Sequence, residues 1–282
     1  MKLWIPGSKG LVGSTFVAQV PGCVGTGREL DIADLSACRL FLKTHGPFTH
    51  IVNCAAFSAV DPAETHRDDA FRANALGPEV LGQCAREFGV RLVHLSTDYV
   101  FPGTGKTPLR ETDLVAPCNV YGQTKLEGEQ RLMTVFPEAC VLRTSWVFGH
   151  GGKNFVAKLF ELLQQDKVLK LVSDQTGRPT YAPDLVEVIL KLRDCSGLYQ
   201  FANAGATNKY DFALQMQADM QAMGLHVPCK LEPVLGSSFT TGAKRPLYSA
   251  FDTSKIEKHL QFTPRHWKTC LQEFVHATAL AR

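Results

Sequence analysis

A tyrosine and a lysine lie four residues apart in this 282-residue chain, at Tyr121 and Lys125. On a helix, this spacing puts the phenol and the ammonium on one face, about one turn apart. A buried cation near a phenol favours the phenolate and lowers its pKa from an ordinary value of about 10. We therefore expect Tyr121 to exchange a proton with a carbonyl or an alcohol near neutral pH, assisted by Lys125.

A hydroxyl side chain at the end of an apolar run is a third candidate for chemistry. Residues 91–96 have the pattern of a buried strand, and Thr97 comes directly after them, with Ser96 as the weaker candidate. Ligands bind at the carboxyl ends of the strands in open α/β sheets. At that position, the Thr97 hydroxyl can donate a hydrogen bond to a substrate carbonyl oxygen on which negative charge develops.

A glycine-rich segment separates the first apolar run from the first helical pattern. Gly7, Gly10 and Gly13 are three residues apart, with Leu11 and Val12 between the last two. Glycines let a backbone turn sharply and approach a pyrophosphate closely, and the helix after them offers free N–H groups and the positive end of its dipole. The spacing differs from the commoner G-x-G-x-x-G fingerprint. It still predicts that these five residues bind a dinucleotide cofactor.

The choice between NADH and NADPH depends on the side chains just after the second strand. An acidic residue there favours the ribose diol of NAD, whereas a basic residue accommodates the 2′-phosphate of NADP. Arg28 is the basic candidate, although a solvated surface arginine is an equal alternative, and we expect Asp31 and Ile32 to flank the adenine. The sequence leaves NADPH and NADH both open.

Short apolar runs that alternate with helical patterns must position these residues. The runs are continuously apolar, as in parallel strands that are covered on both faces. Right-handed crossovers between such strands give a Rossmann-like, doubly wound parallel sheet in an α/β fold. The clearest runs are residues 2–6, 50–55, 91–96 and 140–148.

The pattern changes after about Phe148, where helices and turn-rich loops replace the regular alternation. We predict a dinucleotide-binding domain over residues 1–148 and a smaller C-terminal substrate-binding domain that comprises most of residues 149–282. The segment of about 181–205 is expected to return to the first domain.

The charge and amino-acid composition limit the kinds of partner that this chain can bind. Thirty basic and 27 acidic side chains leave a net charge of +3, without a block of like charges that would bind nucleic acid or a membrane surface. No apolar run approaches the ~18 residues of a membrane span, and the N-terminus lacks a signal-peptide pattern, so we expect a cytoplasmic protein. The nine cysteines are scattered without metal-ligand spacing, which predicts free thiols and no metal site.

The combined motifs resemble the extended short-chain dehydrogenases/reductases and, within them, most closely the dTDP-4-dehydrorhamnose reductases. The resemblance runs nearly end to end. The matching segments are residues 7–13, 30–32, 52–56, 59–64, 96–103, 119–125, 143–147, 174–180 and 245–249.

This resemblance implies hydride transfer from NAD(P)H to C4 of a 4-keto-6-deoxyhexose nucleotide, with Tyr121 as the proton donor. The family reaction converts dTDP-4-dehydro-L-rhamnose to dTDP-L-rhamnose for cell-surface polysaccharide precursors. The implied roles are catalysis for Thr97, Tyr121 and Lys125; cofactor contact on the nicotinamide side for Ala56, Phe57, Ser58, Leu95, Tyr121 and Lys125; and substrate contact for Thr97, Asp98 and Trp146. Asn74 matches an asparagine that such proteins keep near the active site.

The same motifs bear on three alternative functions. Dehydratases of this superfamily carry Asp-Glu directly after the threonine, whereas Thr97 precedes Asp98 and Tyr99 here, so the dehydratase activity is excluded. A sugar-nucleotide 4-epimerase shares the tyrosine and lysine and remains an alternative. So does a non-catalytic NADP-binding subunit like the regulatory subunit of methionine adenosyltransferase.

Quaternary structure stays open between a monomer and a homodimer. Some family members carry a glutamate shortly after the third glycine that takes part in a metal-bridged dimer contact. In this chain Ser14, Thr15 and Phe16 come after Gly13, so we expect neither that metal nor that dimer.

Overall fold

The computed structural model describes residues 1–151 and 154–281. Within these residues, strands and helices alternate along the first half of the chain. The strands are β1 (Leu3–Pro6), β2 (Val24–Thr26), β3 (His50–Asn53), β4 (Arg91–Thr97), β5 (Cys140–Thr144), β6 (Val147–Phe148), β7 (Val168–Val172), β8 (Thr180–Tyr181), β9 (Gly197–Phe201) and β10 (Lys230–Val234).

The helices vary from one turn to more than four turns. They are α1 (Leu11–Gln19), α2 (Leu35–His45), α3 (Val60–Ala63), α4 (Arg67–Phe71), α5 (Gly77–Phe88), α6 (Val120–Val135), α7 (Phe155–Leu163), α8 (Ala182–Leu192), α9 (Lys209–Ala222), α10 (Ser254–Leu260) and α11 (Trp267–Leu280). A π-helical turn, Arg72–Leu76, joins α4 to α5.

The central sheet has six parallel strands in the order β2-β1-β3-β4-β5-β9. The chain leaves β1 in one direction to form β2 and then continues on the other side of β1 with β3. This reversal makes β1 and β3 the topological switch point, and ligands of such sheets bind in the crevice at the carboxyl ends of the strands there. The prediction of a doubly wound parallel sheet is confirmed.

Helices cover both faces of this sheet, as the continuously apolar strands predicted. On one face, Leu3 and Ile5 of β1 pack in a buried cluster with residues of α1 and α8. On the other face, Trp4 packs in a second cluster with residues of α2, α5 and α6. The alternation of neighbouring β1 side chains between the two clusters follows from the two-residue period of a strand.

A third buried cluster lies among later residues, where α7, α9 and α11 pack beside the parallel pair formed by β7 and β10. Phe148, Phe212 and Phe274 form edge-to-face ring contacts there. The division into residues 1–148 and 149–282 remains a proposal. It is supported by this separate core and by the packing of α8, within the segment 181–205, against the central sheet.

The nine cysteines are all free thiols, and five of them are buried. Across residues 1–151 and 154–281, no helix combines the length and the apolar character that a membrane crossing needs.

Candidate active site

The end of β4 presents Thr97 and Asp98, both almost fully buried. A 3-10 turn over Asp98–Val100 comes next, and the Tyr99 amide donates to Thr97 Oγ1 at 3.2 Å. The Thr97 hydroxyl in turn donates to Asp98 Oδ1 at 3.2 Å. Burial raises the pKa of Asp98 to about 6, although hydrogen bonds from Ser249 and Thr97 partly oppose this change.

Helix α6 carries Tyr121 in its first turn and Lys125 one turn later. Two side chains fix its N-terminus: the Asn119 oxygen accepts from the Gly122 amide at 2.8 Å, and Glu64 Oε1 accepts from the Val120 amide at 2.9 Å. These bonds satisfy amides that have no partner within the helix. Tyr121 and Lys125 are thus held on a helix, as their spacing predicts.

The pKa of Tyr121 is shifted in the opposite direction from the one that the sequence predicts. Burial raises the pKa of Tyr121 to about 12, and a hydrogen bond with Thr97 offsets this only in part, while the nearby Asp98 charge adds to it. The expectation of a lowered pKa is wrong, because desolvation of the phenolate outweighs the other effects. Tyr121 is therefore protonated at neutral pH, the form that a proton donor needs.

The Lys125 ammonium is buried, with a side chain that is 2% exposed. Its Nζ donates to the Leu95 carbonyl oxygen at 2.6 Å and lies 3.3 Å from His94 Nε2. Burial lowers the pKa of Lys125 to about 8, and Glu129 opposes this change. Glu129 itself forms a buried two-bond ion pair with Arg143, with N–O distances of 2.9 and 2.7 Å.

The glycine-rich loop lies at the switch point, between β1 and α1. Gly7 has a φ of +80°, and a Cβ on this residue would lie 2.5 Å from the Ala55 amide nitrogen. A Cβ on Gly13 would collide with the carbonyl oxygen of Gly7. The backbone of α1 therefore packs directly on the loop, and no side chain caps its N-terminus at Gly10. This bare, positively polarised helix end fits a pyrophosphate group.

The residues predicted to bind the adenosine lie beyond β2. Arg28 is exposed, and the structure records no hydrogen bond or ion pair for it within the described residues. Asp31 is held by Arg72 Nε at 2.7 Å and by the Ala33 amide at 2.9 Å. The Ile32 side chain is buried and packs where a Cβ on Gly77 would be. Contact of these residues with adenosine remains a prediction.

The nicotinamide side of the predicted cofactor site lies just after β3. Ala56 and Ser58 are exposed there and Phe57 is half-buried. Asn74, in the π-helical turn, accepts from the Phe57 amide at 2.8 Å and donates to the Phe57 carbonyl oxygen at 3.1 Å. It also donates to Thr124 Oγ1 at 3.1 Å. Asn74 thus ties the loop after β3 to helix α6, which carries Tyr121 and Lys125.

Trp146, between β5 and β6, has a left-handed backbone with a φ of +46°. This conformation is unusual for a bulky residue and costs about 1–3 kcal/mol, so it persists only where the surroundings hold it. The Trp146 indole packs against Gly177, where a Cβ would lie 2.7 Å from Cε2. Such local strain concentrates at ligand sites. It supports the predicted substrate contact of Trp146.

Three contributors to this geometry lay within or beside the sequence motifs without a predicted role. Glu64 caps α6, Asp61 binds Arg245 with N–O distances of 3.1 and 2.6 Å, and His94 contacts Lys125. In the sequence, each of these residues is distinguished only as a polar residue within an apolar run or a motif segment. Their partners lie 31 to 184 residues away, which no local pattern indicates.

Within the described part of the chain, no group of three or more His, Cys, Asp or Glu side chains could hold a metal ion. In α1, the Thr15 hydroxyl donates to the Leu11 carbonyl oxygen at 2.8 Å.

Comparison with known proteins identifies the family of this chain. The family described as RmlD substrate binding domain matches residues 1–280. A dTDP-4-dehydrorhamnose reductase of Mycobacterium tuberculosis is 37% identical over 99% of this chain and 92% of its own length. The spore coat polysaccharide biosynthesis protein SpsK of Bacillus subtilis is 35% identical over 91% of this chain and 88% of its own.

Solved structures extend the similarity to the fold. A dTDP-4-dehydrorhamnose reductase of Clostridium acetobutylicum superposes with a TM-score of 0.91 at 34% identity, over 99% of this chain and all of that one. The corresponding protein of Bacillus anthracis, solved in complex with NADP, gives a TM-score of 0.91 at 30% identity, over 97% and 98% of the two chains.

Proposed function

We propose, because this chain belongs to the RmlD substrate-binding-domain family, that it reduces dTDP-4-dehydro-L-rhamnose to dTDP-L-rhamnose with NADPH or NADH. One observation carries the assignment of the site. The Tyr121 phenol shares a hydrogen bond with Thr97 and the Lys125 ammonium donates to the Leu95 carbonyl oxygen, so a hydroxyl, a phenol and an ammonium lie at the carboxyl end of β4. The product is a precursor of cell-surface polysaccharide.

The cofactor is held by the loop and by the first turn of α1, which comprise Gly7, Gly10, Leu11, Val12 and Gly13. The close packing around Gly7 and Gly13 supports this assignment, because a Cβ at either position would collide with backbone atoms and displace the loop from the helix terminus. When bound, the cofactor supplies the hydride.

Arg28 and Asp31 are proposed at its ribose and Ile32 beside its adenine. Ala56, Phe57, Ser58 and Leu95 are proposed near the nicotinamide. Arg28 is exposed, and Asp31 is already paired with Arg72. Both features favour binding of the 2′-phosphate of NADPH.

Tyr121 donates the proton. As hydride adds to C4, the carbonyl oxygen gains electron density and takes the proton from Tyr121 Oη, which becomes a phenolate. The raised pKa of Tyr121 supports this role, because the phenol is fully protonated before reaction. The Thr97 hydroxyl, which donates to Asp98 in the free protein, can turn to the same carbonyl oxygen and stabilise its charge.

Substrate contact is proposed for Thr97, Asp98 and Trp146, with Lys125 orienting the ribose beside Tyr121. We propose a cytoplasmic enzyme, monomeric or homodimeric, that binds neither nucleic acid nor membranes. An epimerase would use the same Tyr121 and Lys125 but consume no net cofactor. The regulatory-subunit alternative would bind the cofactor without turnover.

The test monitors cofactor absorbance with dTDP-4-dehydro-L-rhamnose and with UDP and GDP analogues, for both NADPH and NADH. Tyr121→Phe should lower kcat by about 10²- to 10⁴-fold, because the proton donor is lost, while the protein still binds the cofactor. Tyr199→Phe, a buried tyrosine on the edge strand β9, is the matched control. Cofactor binding without turnover of any keto sugar would contradict the reductase.

A further inference from the structure

A buried chain of hydrogen bonds runs behind Lys125, from Asn53 at the end of β3 through His94 in β4. The Ala55 amide donates to Asn53 Oδ1 at 3.0 Å, which assigns the oxygen of this side chain. Its amide nitrogen, Nδ2, therefore faces His94 Nδ1 at 2.9 Å. His94 is fully buried, and its second ring nitrogen lies 3.3 Å from Lys125 Nζ.

This arrangement fixes the tautomer of His94. An amide NH₂ can only donate, so His94 Nδ1 must accept. Burial and the nearby Lys125 lower the pKa of His94 well below its ordinary range, so the ring is neutral and carries one proton. Since Nδ1 is an acceptor, this proton is on Nε2 and points at the Lys125 amine.

An N–H group that faces an ammonium places two donors against each other. The contact becomes a hydrogen bond only when Nζ has a lone pair, which is the case in the neutral amine. The other neighbours do not cancel this effect. The Leu95 carbonyl accepts one proton of Nζ, the Glu129 carboxylate is already paired with Arg143, and the pKa of the Cys54 thiol is raised to about 12, so that it is uncharged.

We propose that His94, oriented by Asn53, is a positioning residue that makes Lys125 release a proton readily during turnover. After Tyr121 has protonated the substrate oxygen, its phenolate takes a proton from the Lys125 ammonium, directly or through a bound hydroxyl group. Lys125 becomes a neutral amine that accepts the His94 Nε2–H, and water then returns the proton. This proposal rests on the catalytic roles proposed for Tyr121 and Lys125.

The tautomer can be measured without turnover. In protein labelled with ¹⁵N-histidine, two-bond ¹H–¹⁵N correlation spectra distinguish an imidazole protonated at Nε2 from one protonated at Nδ1. The His94 signals are identified by their loss in His94→Gln. We expect the neutral Nε2–H form throughout pH 6 to 9. A ring protonated at Nδ1, or an imidazolium, would overturn the proposal even if the enzyme were fully active.

Two variants test the effect on Lys125. Asn53→Asp replaces the donor by an acceptor, so His94 should carry its proton on Nδ1 and turn a lone pair toward the Lys125 ammonium. In His94→Gln, the side-chain oxygen can accept directly from the ammonium. Both changes stabilise the charged form. The alkaline limb of kcat/KM, expected near the Lys125 pKa of about 8, should therefore move to higher pH by about one unit.

The control is His50→Gln, a buried histidine at the start of β3 that contacts Asp194 at the other end of the sheet. This substitution should leave the pH of the alkaline limb of kcat/KM unchanged. Thermal melting identifies variants that do not fold. An unchanged limb in a folded Asn53→Asp or His94→Gln protein would contradict the proposal, whereas absence of turnover in the parent protein would contradict the proposed function alone.

Discussion

At the scale of single residues, burial dominates the electrostatics of this site. It favours the neutral forms of Asp98, Tyr121 and Lys125, raising the pKa of the two acids and lowering that of the amine. The pKa values of Asp98 and Lys125 are displaced toward neutral pH, which suits these groups to proton transfer, whereas the pKa of Tyr121 is displaced away from it. The same displacement has a cost in stability that can be measured at Asp98.

Asp98→Asn should stabilise the protein at neutral pH. Because the folded-state pKa of Asp98 is raised from 3.8 to about 6, its favourable contribution to folding is complete below pH 4 and is lost as pH rises through 6. The loss amounts to about 3 kcal/mol at pH 7. The asparagine does not titrate, so the free energy of unfolding of the variant should rise relative to that of the parent protein as pH increases through this range.

Urea unfolding of both proteins at pH 4.5 and pH 7.5 measures the difference. Asp166→Asn, at an exposed position, serves as the control for the removal of a carboxylate. A pH-independent difference for Asp98→Asn would show that Asp98 has no raised pKa.

At the scale of elements, the site depends on how the ends of strands and helices are fixed. Asn119 and Glu64 hold the start of α6, and Asn74 holds the loop after β3 against the same helix. Trp146 is fixed differently, because the parallel pairing of β6 with β8 places the adjoining segment against the loop that contains Gly177. The left-handed backbone at Trp146 is therefore maintained by a packed neighbour.

Gly177→Ala should impair binding of the nucleotide sugar while leaving cofactor binding intact. The added methyl group would lie 2.7 Å from Trp146 Cε2, so the indole must move. Overpacking of this kind costs about 1–3 kcal/mol, which corresponds to a rise of roughly 5- to 150-fold in KM if the cost falls on the substrate contact.

Steady-state kinetics together with a fluorescence titration of NADPH separate the two effects. Gly105→Ala is the matched control, since a methyl group there meets open space. An unchanged KM for the sugar would argue against contact between Trp146 and the substrate.

At the scale of the whole molecule, polar contacts connect parts of the chain that are distant in sequence. Arg245 binds Asp61, and the Ala243 amide donates to the same carboxylate at 2.9 Å. In an earlier loop, the Arg178 guanidinium donates to the carbonyl oxygens of Asn203 and Phe251 at 2.9 and 2.8 Å. The contacts with Asp61 position the chain around residue 245 beside Tyr99 and the proposed substrate site.

Asp61→Asn should weaken the binding of the nucleotide sugar and change stability little. The Asp61 side chain is 41% exposed, so its ion pair contributes at most about 1 kcal/mol to folding. If that energy holds the residue 245 segment at the site, KM rises up to about fivefold. Glu87→Gln, which breaks the exposed pair with Arg39, should leave KM unchanged. Equal kinetics for both variants would contradict this role.

Much of this protein is determined by local sequence. The apolar runs predict parallel strands covered on both faces, and the positions of Thr97, Tyr121 and Lys125 at a strand end and on one helix face follow from two- and four-residue spacing. These features could be predicted because periodicity and glycine spacing act within a few residues of the chain.

Only the tertiary structure determines the protonation states of the groups in the site. Whether Tyr121 has a lowered or a raised pKa depends on its burial and on where the Lys125 ammonium points, which the sequence expectation got wrong. The His94 tautomer is set by Asn53, 41 residues earlier, and Arg245 meets Asp61 across 184 residues. Such contacts arise from the way strands and loops pack in three dimensions, so no local pattern encodes them.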